Sequence, residues 1–341
     1  MIKSILFVPM IILVIISIYS CNENSVIPKV PKESCRDSAR FNWTADTVWE
    51  SDITGDLWAP DTNNIFTIAR YDNFIIRRNN GTYSRIDFAD NEYLCKMVGD
   101  NINNGYLFGY ISDGQNTKPA VWKWVGNGFV NIPTNNVIKN VGIEAGLFVS
   151  PTKVWAVCSM KASLLFDGSN FTLYPLPDSI LYQGIFFDAQ HKLKILGVWQ
   201  TSDSTNYYIL EFKNYQWEII YKSPNTNLIC RVFNNEVIGQ GTDGIYFFDG
   251  QNFNRIIELC ESIHIDYISG TSFNDFMGVL MPISNQLNVF FHWNGIKWSK
   301  EDMKGNGNEF GQLKMINNNF YVSVQSCWGC YYSIFYFARK K

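Results

Sequence analysis

One short motif recurs along this chain and constrains its fold more than any other feature. It consists of an apolar run, a turn containing glycine or asparagine, and an aromatic residue; the clearest copies are LLFDGSNF (residues 164–171), YFFDGQNF (246–253) and FFHWNGIKW (290–298). Weaker copies occupy residues 76–83, 121–129 and 210–217. The closing aromatics are Tyr83, Phe129, Phe171, Trp217, Phe253 and Trp298, separated by 46, 42, 46, 36 and 45 residues. Such a period is typical of an array of similar structural units.

Each motif predicts a β-hairpin, because Asp-Gly and Asn-Gly pairs tolerate the positive φ angles of tight turns. The aromatic residue just past the turn can then pack on the neighbouring unit. Two more short strands lie upstream of each hairpin, for example at residues 146–149 and 154–157 of the third unit. Four strands in roughly 40–50 residues is the size of a β-propeller blade. The abundance of Phe, Tyr and Trp also favours strands over helices.

The two ends of the chain predict how the propeller closes. After six complete units the C-terminus supplies only three strands, at residues 311–316, 320–324 and 331–337, while residues 40–44 form an isolated strand near the N-terminus. We therefore predict an all-β, seven-bladed β-propeller with four antiparallel strands per blade, in which residues 41–44 pair antiparallel with the strand containing Phe335. Such closure removes exposed sheet edges. An unclosed six-bladed array is the alternative, and it leaves both ends without partners.

The N-terminus predicts an exported protein. Lys3 precedes an apolar run at residues 5–18, the length of a signal-peptide core. The sequence Ile-Tyr-Ser-Cys that ends at Cys21 resembles the bacterial lipobox, although Tyr19 departs from its pattern. An ordinary signal peptide or an uncleaved anchor is the alternative.

The lipobox resemblance implies that residues 1–20 are removed and that Cys21 carries acyl chains, which would attach the protein to a membrane. Asn22 stands where Asp would favour retention in the inner membrane, so we expect an outer-membrane lipoprotein. Residues 21–38 are then a polar tether, and residues 39–341 are the propeller.

The repeat itself supplies a second resemblance. Units such as GTSFND (residues 270–275) followed by FHWNGIKW (291–298) resemble the propeller repeats of uncharacterised secreted bacterial proteins and lipoproteins. The resemblance extends over nearly the whole mature chain. It implies the fold and no particular function, because propellers include enzymes, receptors and scaffolds.

Several kinds of chemistry have no signal in the sequence. A net charge of −3, with basic residues clustered only at the extreme C-terminus, argues against nucleic-acid binding. The three histidines, His191, His264 and His292, are too scattered to form a metal motif, and we interpret each as structural or solvated. No phosphate-binding loop or nucleophile motif is present, so we predict no catalytic residue, metal or cofactor, and we expect a monomer.

The cysteines suggest one cross-link. Beyond Cys21 the chain has seven of them, and Cys95, Cys158 and Cys230 lie in apolar runs where we expect buried small side chains. Cys327 and Cys330 flank Trp328-Gly329, and an exported protein meets oxidants, so we predict a disulfide between them. A free dithiol and a redox site are the alternatives, although the flanking strands lack the helix that follows such a motif in thioredoxins.

The connections between the second and third strands of the blades indicate a binding face. They vary in sequence and length, for example at residues 111–119, 200–206 and 282–286, whereas the other turns within the blades are short. Insertions on one face of a repeat array often mark its binding face, although neutral drift gives the same pattern. The candidate residues are Asp113, Gln115, Asn116, Asp203, Asn285 and Trp328.

These observations favour a non-enzymatic module that binds a protein or a glycan through that face. The alternatives are a carbohydrate-active enzyme, either a lyase or a glycosidase, with its site at the channel mouth, and a scaffold subunit of an envelope complex. An enzyme should show converging carboxylates or a histidine in a deep polar pocket. A binding module should show a shallow face with exposed aromatic side chains.

Overall fold

The architecture is a ring of sheets. The computed structural model describes residues 36–37, 41–48, 54–69, 73–133, 142–158, 162–177, 180–201, 204–223, 228–241, 243–258, 265–280, 289–301, 309–317, 320–327 and 333–341. These residues form 29 β-strands in seven sheets. Within this part of the chain, no helix has the length and apolar character needed to span a membrane.

The first two strands, β1 (Arg36–Asp37) and β2 (Phe41–Val48), join blades at the end of the ring. The strands of blade 1 are β3 (Thr54–Trp58), β4 (Asn64–Ala69), β5 (Phe74–Asn79) and β6 (Thr82–Asp87). Those of blade 2 are β7 (Glu92–Gly99), β8 (Gly105–Ser112), β9 (Thr117–Trp124) and β10 (Phe129–Ile132). Those of blade 3 are β11 (Ile143–Ser150), β12 (Lys153–Cys158), β13 (Ala162–Phe166) and β14 (Phe171–Pro175).

The remaining blades repeat the pattern. Blade 4 contains β15 (Leu181–Phe187), β16 (Leu193–Gln200), β17 (Thr205–Lys213) and β18 (Gln216–Lys222). Blade 5 contains β19 (Ile229–Phe233), β20 (Glu236–Gln240), β21 (Gly244–Phe248) and β22 (Phe253–Glu258). Blade 6 contains β23 (Ile265–Ser272), β24 (Asp275–Leu280), β25 (Val289–Trp293) and β26 (Trp298–Glu301), and blade 7 contains β27 (Glu309–Asn317), β28 (Phe320–Cys327), β29 (Ser333–Lys340) and β2.

The predicted closure by the N-terminal strand is confirmed. Strand β2 pairs antiparallel with β29 along its whole length, from Phe41 opposite Lys340 to Val48 opposite Ser333. Phe335, the residue named in the prediction, lies opposite Asp46. The seventh blade therefore takes its outer strand from one end of the chain and its other three strands from the opposite end.

Strand β1 was not expected from the sequence. It pairs in parallel with β26, so that Arg36 lies opposite Trp298 and Asp37 opposite Ser299, and it gives blade 6 a fifth strand. Strand pairing thus begins at Arg36, two residues before the predicted end of the tether at residue 38. The rest of that predicted tether, the predicted signal peptide and Cys21 lie outside the described residues.

The hydrophobic core is divided into seven clusters, and each cluster lies between two adjacent blades. The cluster that closes the ring packs Ile65 and Phe74 of blade 1 against Val322 and Phe335 of blade 7, and all four are at most 1% exposed. Full burial of one such side chain contributes about 1.5–3 kcal/mol. The ring is therefore held together mainly by side-chain packing between sheets, because the backbone hydrogen bonds between strands run within each sheet.

The six closing aromatics of the motif pack on the preceding blade, as the sequence predicts. Tyr83 lies 5.1 Å from Phe335 of blade 7, measured between ring centroids, and Phe129 lies 6.3 Å from Phe66 of blade 1. The indole Nε1 of Trp217 donates a hydrogen bond of 2.7 Å to Ser163 Oγ of blade 3. Phe171, Phe253 and Trp298 join the clusters shared with blades 2, 4 and 5.

The turns of the motif are of two kinds, and only one kind has the positive φ angles at both turn residues that the sequence predicts. Asn80 and Gly81 both have positive φ, 49° and 85°, as a two-residue hairpin requires. In the Asp-Gly turn at Asp167 only Gly168 is positive, at 96°. There the aspartate Oδ1 accepts hydrogen bonds from the backbone N–H groups of Ser169 and Asn170. The Asp in these turns is thus selected for its carboxylate rather than for tolerance of positive φ.

Candidate binding face and central channel

The fold has two faces that differ in their connections. The first strands of neighbouring blades contact one another around the central channel. Each strand crosses the propeller from one face to the other, so successive connections lie alternately on the two faces. The connections between blades therefore lie on the same face as the turns between the second and third strands. We call this the upper face; its described parts include residues 88–91 and 113–116. The lower face has the other turns, such as residues 214–215 and 294–297.

The predicted loops on the upper face are shorter than the sequence suggested. Much of the predicted segment 111–119 belongs to β8 and β9, which leaves residues 113–116 as the turn. In the same way, β16 and β17 extend into the predicted segment 200–206. The strands lengthen because they continue the hydrogen-bonded ladder outward, for example where Ser112 pairs with Thr117.

Three of the six candidate residues lie in the turn of blade 2. Asp113 Oδ1 accepts hydrogen bonds from the N–H groups of Gln115, at 3.0 Å, and Asn116, at 2.7 Å. These bonds, first that from Asn116, hold the pKa of Asp113 below its ordinary value. Asp113 therefore shapes the turn, and the exposed Gln115 side chain projects from it.

The other candidates cannot be placed in the same way. Asp203, Asn285 and Trp328 lie outside the described residues, and so does Cys330. Cys327 is the last residue of β28. The predicted binding role of these residues and the Cys327–Cys330 disulfide stay predictions.

The upper face presents large apolar side chains that the sequence reasoning missed. On blade 2, Tyr93 is 37% exposed and stacks on Tyr110, with ring centroids 4.7 Å apart and an interplanar angle of 12°. On blade 4, Leu181 is 45% and Trp199 36% exposed. Each lies at the end of a first or second strand next to an upper-face connection. Their positions at the ends of strands could have indicated that they are exposed, but the ends of strands are difficult to predict to the residue.

A charged cluster lies where the first strands of three blades meet. Asp56 on β3 is 4% exposed; its Oδ1 lies 2.8 Å from Lys96 Nζ, and its Oδ2 accepts a hydrogen bond of 2.7 Å from the N–H of Met97. Lys314 on β27 is reached by solvent, yet protein atoms surround it closely. This burial lowers the pKa of Lys314; Asp56 opposes the shift, and Lys96 adds to it. The cluster thus brings two lysines and one aspartate from three different blades together at the channel.

The described histidines have structural surroundings. His191 lies in the turn between β15 and β16 with a positive φ of 57° and is exposed. His292 is 1% exposed, and its Nε2 lies 2.6 Å from Asp275 Oδ1. The hydroxyl of Ser299 donates a hydrogen bond of 2.8 Å to Glu301 Oε1, and it also lies 3.5 Å from the backbone carbonyl oxygen of His292. His264 lies outside the described residues.

Two of the three cysteines predicted to be buried are buried. Cys158 and Cys230 are 0% and 1% exposed. Burial, with a smaller contribution from Glu144, raises the pKa of Cys158 to about 12, and burial also raises the pKa of Cys230. Neither thiol is reactive at neutral pH, because the thiolate is the nucleophile. Cys95 is only half-buried, because it lies on a first strand at the channel rather than between blades.

Within the described ranges, no group of three or more His, Cys, Asp or Glu residues is placed to hold a metal ion. The carboxylate of Asp56 is occupied by Lys96 and a backbone N–H. A glycosidase uses two carboxylates separated by about 5–9.5 Å, one on each side of the scissile bond; the charged neighbours described for Asp56 are instead Lys96 and Lys314.

Comparison with known proteins shows the fold. No protein-family model and no curated protein sequence matches the chain. Among solved structures, "YCF48 bound to D1 peptide" is similar with a TM-score of 0.68 and 10% sequence identity, over 92% of this chain and 99% of that chain. YCF48 from Cyanidioschyzon merolae is similar with a TM-score of 0.60 and 8% identity, over 86% of this chain and 98% of that one. The chain is thus a seven-bladed β-propeller with the fold of the YCF48 structures.

Proposed function

We propose that the protein is a lipoprotein of the bacterial outer membrane whose propeller binds a partner protein, or a glycan, through its upper face without catalysis. The observation that carries the proposal is the group of exposed side chains on that face, Tyr93, Leu181 and Trp199. Partly exposed aromatic rings with fixed positions are typical of binding sites, because they bury much apolar area at a small cost in conformational entropy.

The packing of these side chains supports their role in recognition. The stack of Tyr93 on Tyr110 fixes the exposed ring, so little freedom is left to lose on binding. Exposed Asp113 and Glu144 add hydrogen-bond acceptors on the same face. The similar fold of YCF48 in its structure bound to a D1 peptide supports a polypeptide as the first ligand to test.

Photo-crosslinking in the native envelope tests the proposed face. A benzoylphenylalanine introduced at Trp199 should give a discrete adduct on irradiation. The matched control is the same residue at Tyr215, which is 81% exposed on the lower face. Sensitivity of the adduct to protease or to glycosidase separates a protein partner from a glycan. An adduct from position 215 but none from position 199 would contradict the proposed face.

Adduct formation should depend on the exposed side chains themselves. With the label moved to Gln115, the double change Tyr93→Ala and Trp199→Ala should reduce the adduct at least about tenfold, since aromatic anchors commonly contribute about 2 kcal/mol or more to an interface. An unchanged yield would place the binding energy elsewhere.

Membrane attachment rests on the lipobox resemblance at Cys21. The Cys21→Ala variant should leave the membrane fraction or accumulate as an uncleaved precursor, because the acyl chains supply the anchor. Mass spectrometry of the mature wild-type protein should find an acylated N-terminal cysteine; an unmodified chain that begins elsewhere would refute the proposal.

A further inference from the structure

A pocket lies on the lower face between blades 5 and 6. It has a volume of about 340 Å³, and its walls include Glu236, Phe247, Ile256, Phe273 and Trp293. Sites for small molecules have volumes of about 300–1,000 Å³, so this pocket is large enough for one long side chain or a small ligand.

The aromatic walls of this pocket are held in place by the core beneath them. The rings of Phe247 and Phe273 meet edge to face, with centroids 5.5 Å apart and an interplanar angle of 74°. Phe273 also contacts Phe233 at 5.5 Å, and Phe233 belongs to the buried cluster between these blades. The pocket is therefore preformed, and binding would require little rearrangement.

Glu236 differs from the other acidic groups near it. The carboxylate of Asp243 accepts hydrogen bonds from Arg255 and from the hydroxyl of Tyr246. Glu236 is half-buried, and burial alone raises the pKa of its carboxyl, with no contribution from a hydrogen bond or a charge of a described group. A carboxylate that is partly removed from water without a partner costs free energy, so its retention in an aromatic pocket points to a ligand that supplies the missing partner.

We propose that this pocket binds the cationic side chain of a lysine or arginine from a partner polypeptide. The ammonium or guanidinium group would pair with Glu236, and the aliphatic stem and the charge would lie against the rings of Phe247, Phe273 and Trp293. The site is on the opposite side of the propeller from Tyr93 and Trp199, so it does not depend on the function proposed for the upper face.

Titration calorimetry with short capped peptides tests the site directly. The peptides Ac-Gly-Gly-Arg-Gly-Gly-NH2 and its lysine analogue should bind the full-length protein, whereas the norleucine analogue, which has an apolar stem and no charge, should bind at least about tenfold more weakly. Equal binding of the norleucine peptide, or no saturation by the arginine and lysine peptides, would overturn the proposal.

Matched variants separate the pocket from general charge effects. Glu236→Gln, which keeps the size of the side chain, should lower the affinity for the arginine peptide at least about tenfold. Glu258→Gln, which removes an exposed charge at the end of β22, should leave it unchanged. Unfolding temperatures near that of the wild type show that both variants are folded, and equal affinities of the two variants would overturn the proposal.

Two other ligands of this pocket, a small amine and a second copy of the chain, would give results different from those expected for a partner polypeptide. If free n-butylammonium binds as tightly as the lysine peptide, the pocket is a site for small amines and the polypeptide assignment is wrong. If Glu236→Gln instead abolishes a concentration-dependent dimer in sedimentation experiments, the cation comes from a second copy of the chain and the assignment to another polypeptide is wrong.

Discussion

Two carboxylates in this propeller occupy opposite electrostatic situations. Asp56 is almost fully buried, and both of its oxygens have partners, Lys96 and the N–H of Met97. Glu236 is less buried, yet its carboxylate lacks a partner within the described part of the chain. Asp56 connects the first strands of blades 1 and 2, whereas Glu236 faces an open pocket between blades 5 and 6.

The difference separates a structural role from a binding role. Removing a satisfied buried carboxylate leaves its former partners unsatisfied, so the fold loses stability. Removing an unsatisfied carboxylate relieves a desolvation cost and removes only an interaction that a ligand would make. Stability and binding should therefore respond in opposite ways at the two positions.

The largest effect is expected at Asp56. Asp56→Ala leaves the Met97 N–H and the Lys96 ammonium without their acceptor, and we expect the free energy of unfolding to fall by about 3 kcal/mol. Asp243→Ala, which removes an exposed partner of Arg255, should cost less than about 1 kcal/mol. Urea denaturation measures both free energies of unfolding. If Asp56→Ala lost no more stability than Asp243→Ala, Asp56 would not have the structural role assigned to it.

Replacing the cation of the same pair should have a smaller effect. Lys96→Met keeps the aliphatic stem and leaves Asp56 with the Met97 N–H, so we expect a loss of about 1–2 kcal/mol. The Lys96 side chain is 40% exposed, so solvent already screens the pair. A loss as large as that of Asp56→Ala would mean that the ion pair, and not the backbone hydrogen bond, supplies most of the stability.

The smallest effect, with the opposite sign, is expected at Glu236. Burial raises the pKa of this carboxyl in the folded protein, so the folded state holds its proton more tightly than the unfolded state. The resulting cost is absent below the unfolded-state pKa, grows as pH rises, and is complete above the folded-state pKa. Glu236→Gln should therefore raise the unfolding temperature at pH 7 by at most about 2 °C and leave it unchanged at pH 3. A lower unfolding temperature of the variant at pH 7 would show that Glu236 has a stabilising partner.

The fold was predictable because it repeats. Hairpins and closing aromatics recur at a regular interval, and an orphan strand at one end matched a missing strand at the other. Strand β1 escaped prediction, since two residues, Arg36 and Asp37, give no hydrophobic period. The lengths of the upper-face turns were also overestimated, because polar residues such as Thr117 and Lys118 continue a strand wherever the partner strand extends equally far.

The candidate sites were much less predictable. Asp56, Lys96 and Lys314 come from three different blades, and no spacing in the sequence links them. Glu236 and Phe273 likewise meet only because blades 5 and 6 are neighbours in the ring. An acidic residue within an apolar strand, as in Gly55-Asp56-Leu57-Trp58, was the one local sign, and on its own it does not indicate which partner it has.

The pairing of β2 with β29 determines when the seventh sheet can form during synthesis of the chain. Phe41 is made long before Lys340, so the seventh sheet cannot form until synthesis has passed the end of β29. Until then β2 and the side of blade 1 that packs on blade 7 have no partners, and contacts so distant in sequence form slowly. A chain cut off after blade 6 would carry six finished sheets and an open ring, so β27, β28 and β29 together determine whether the propeller closes.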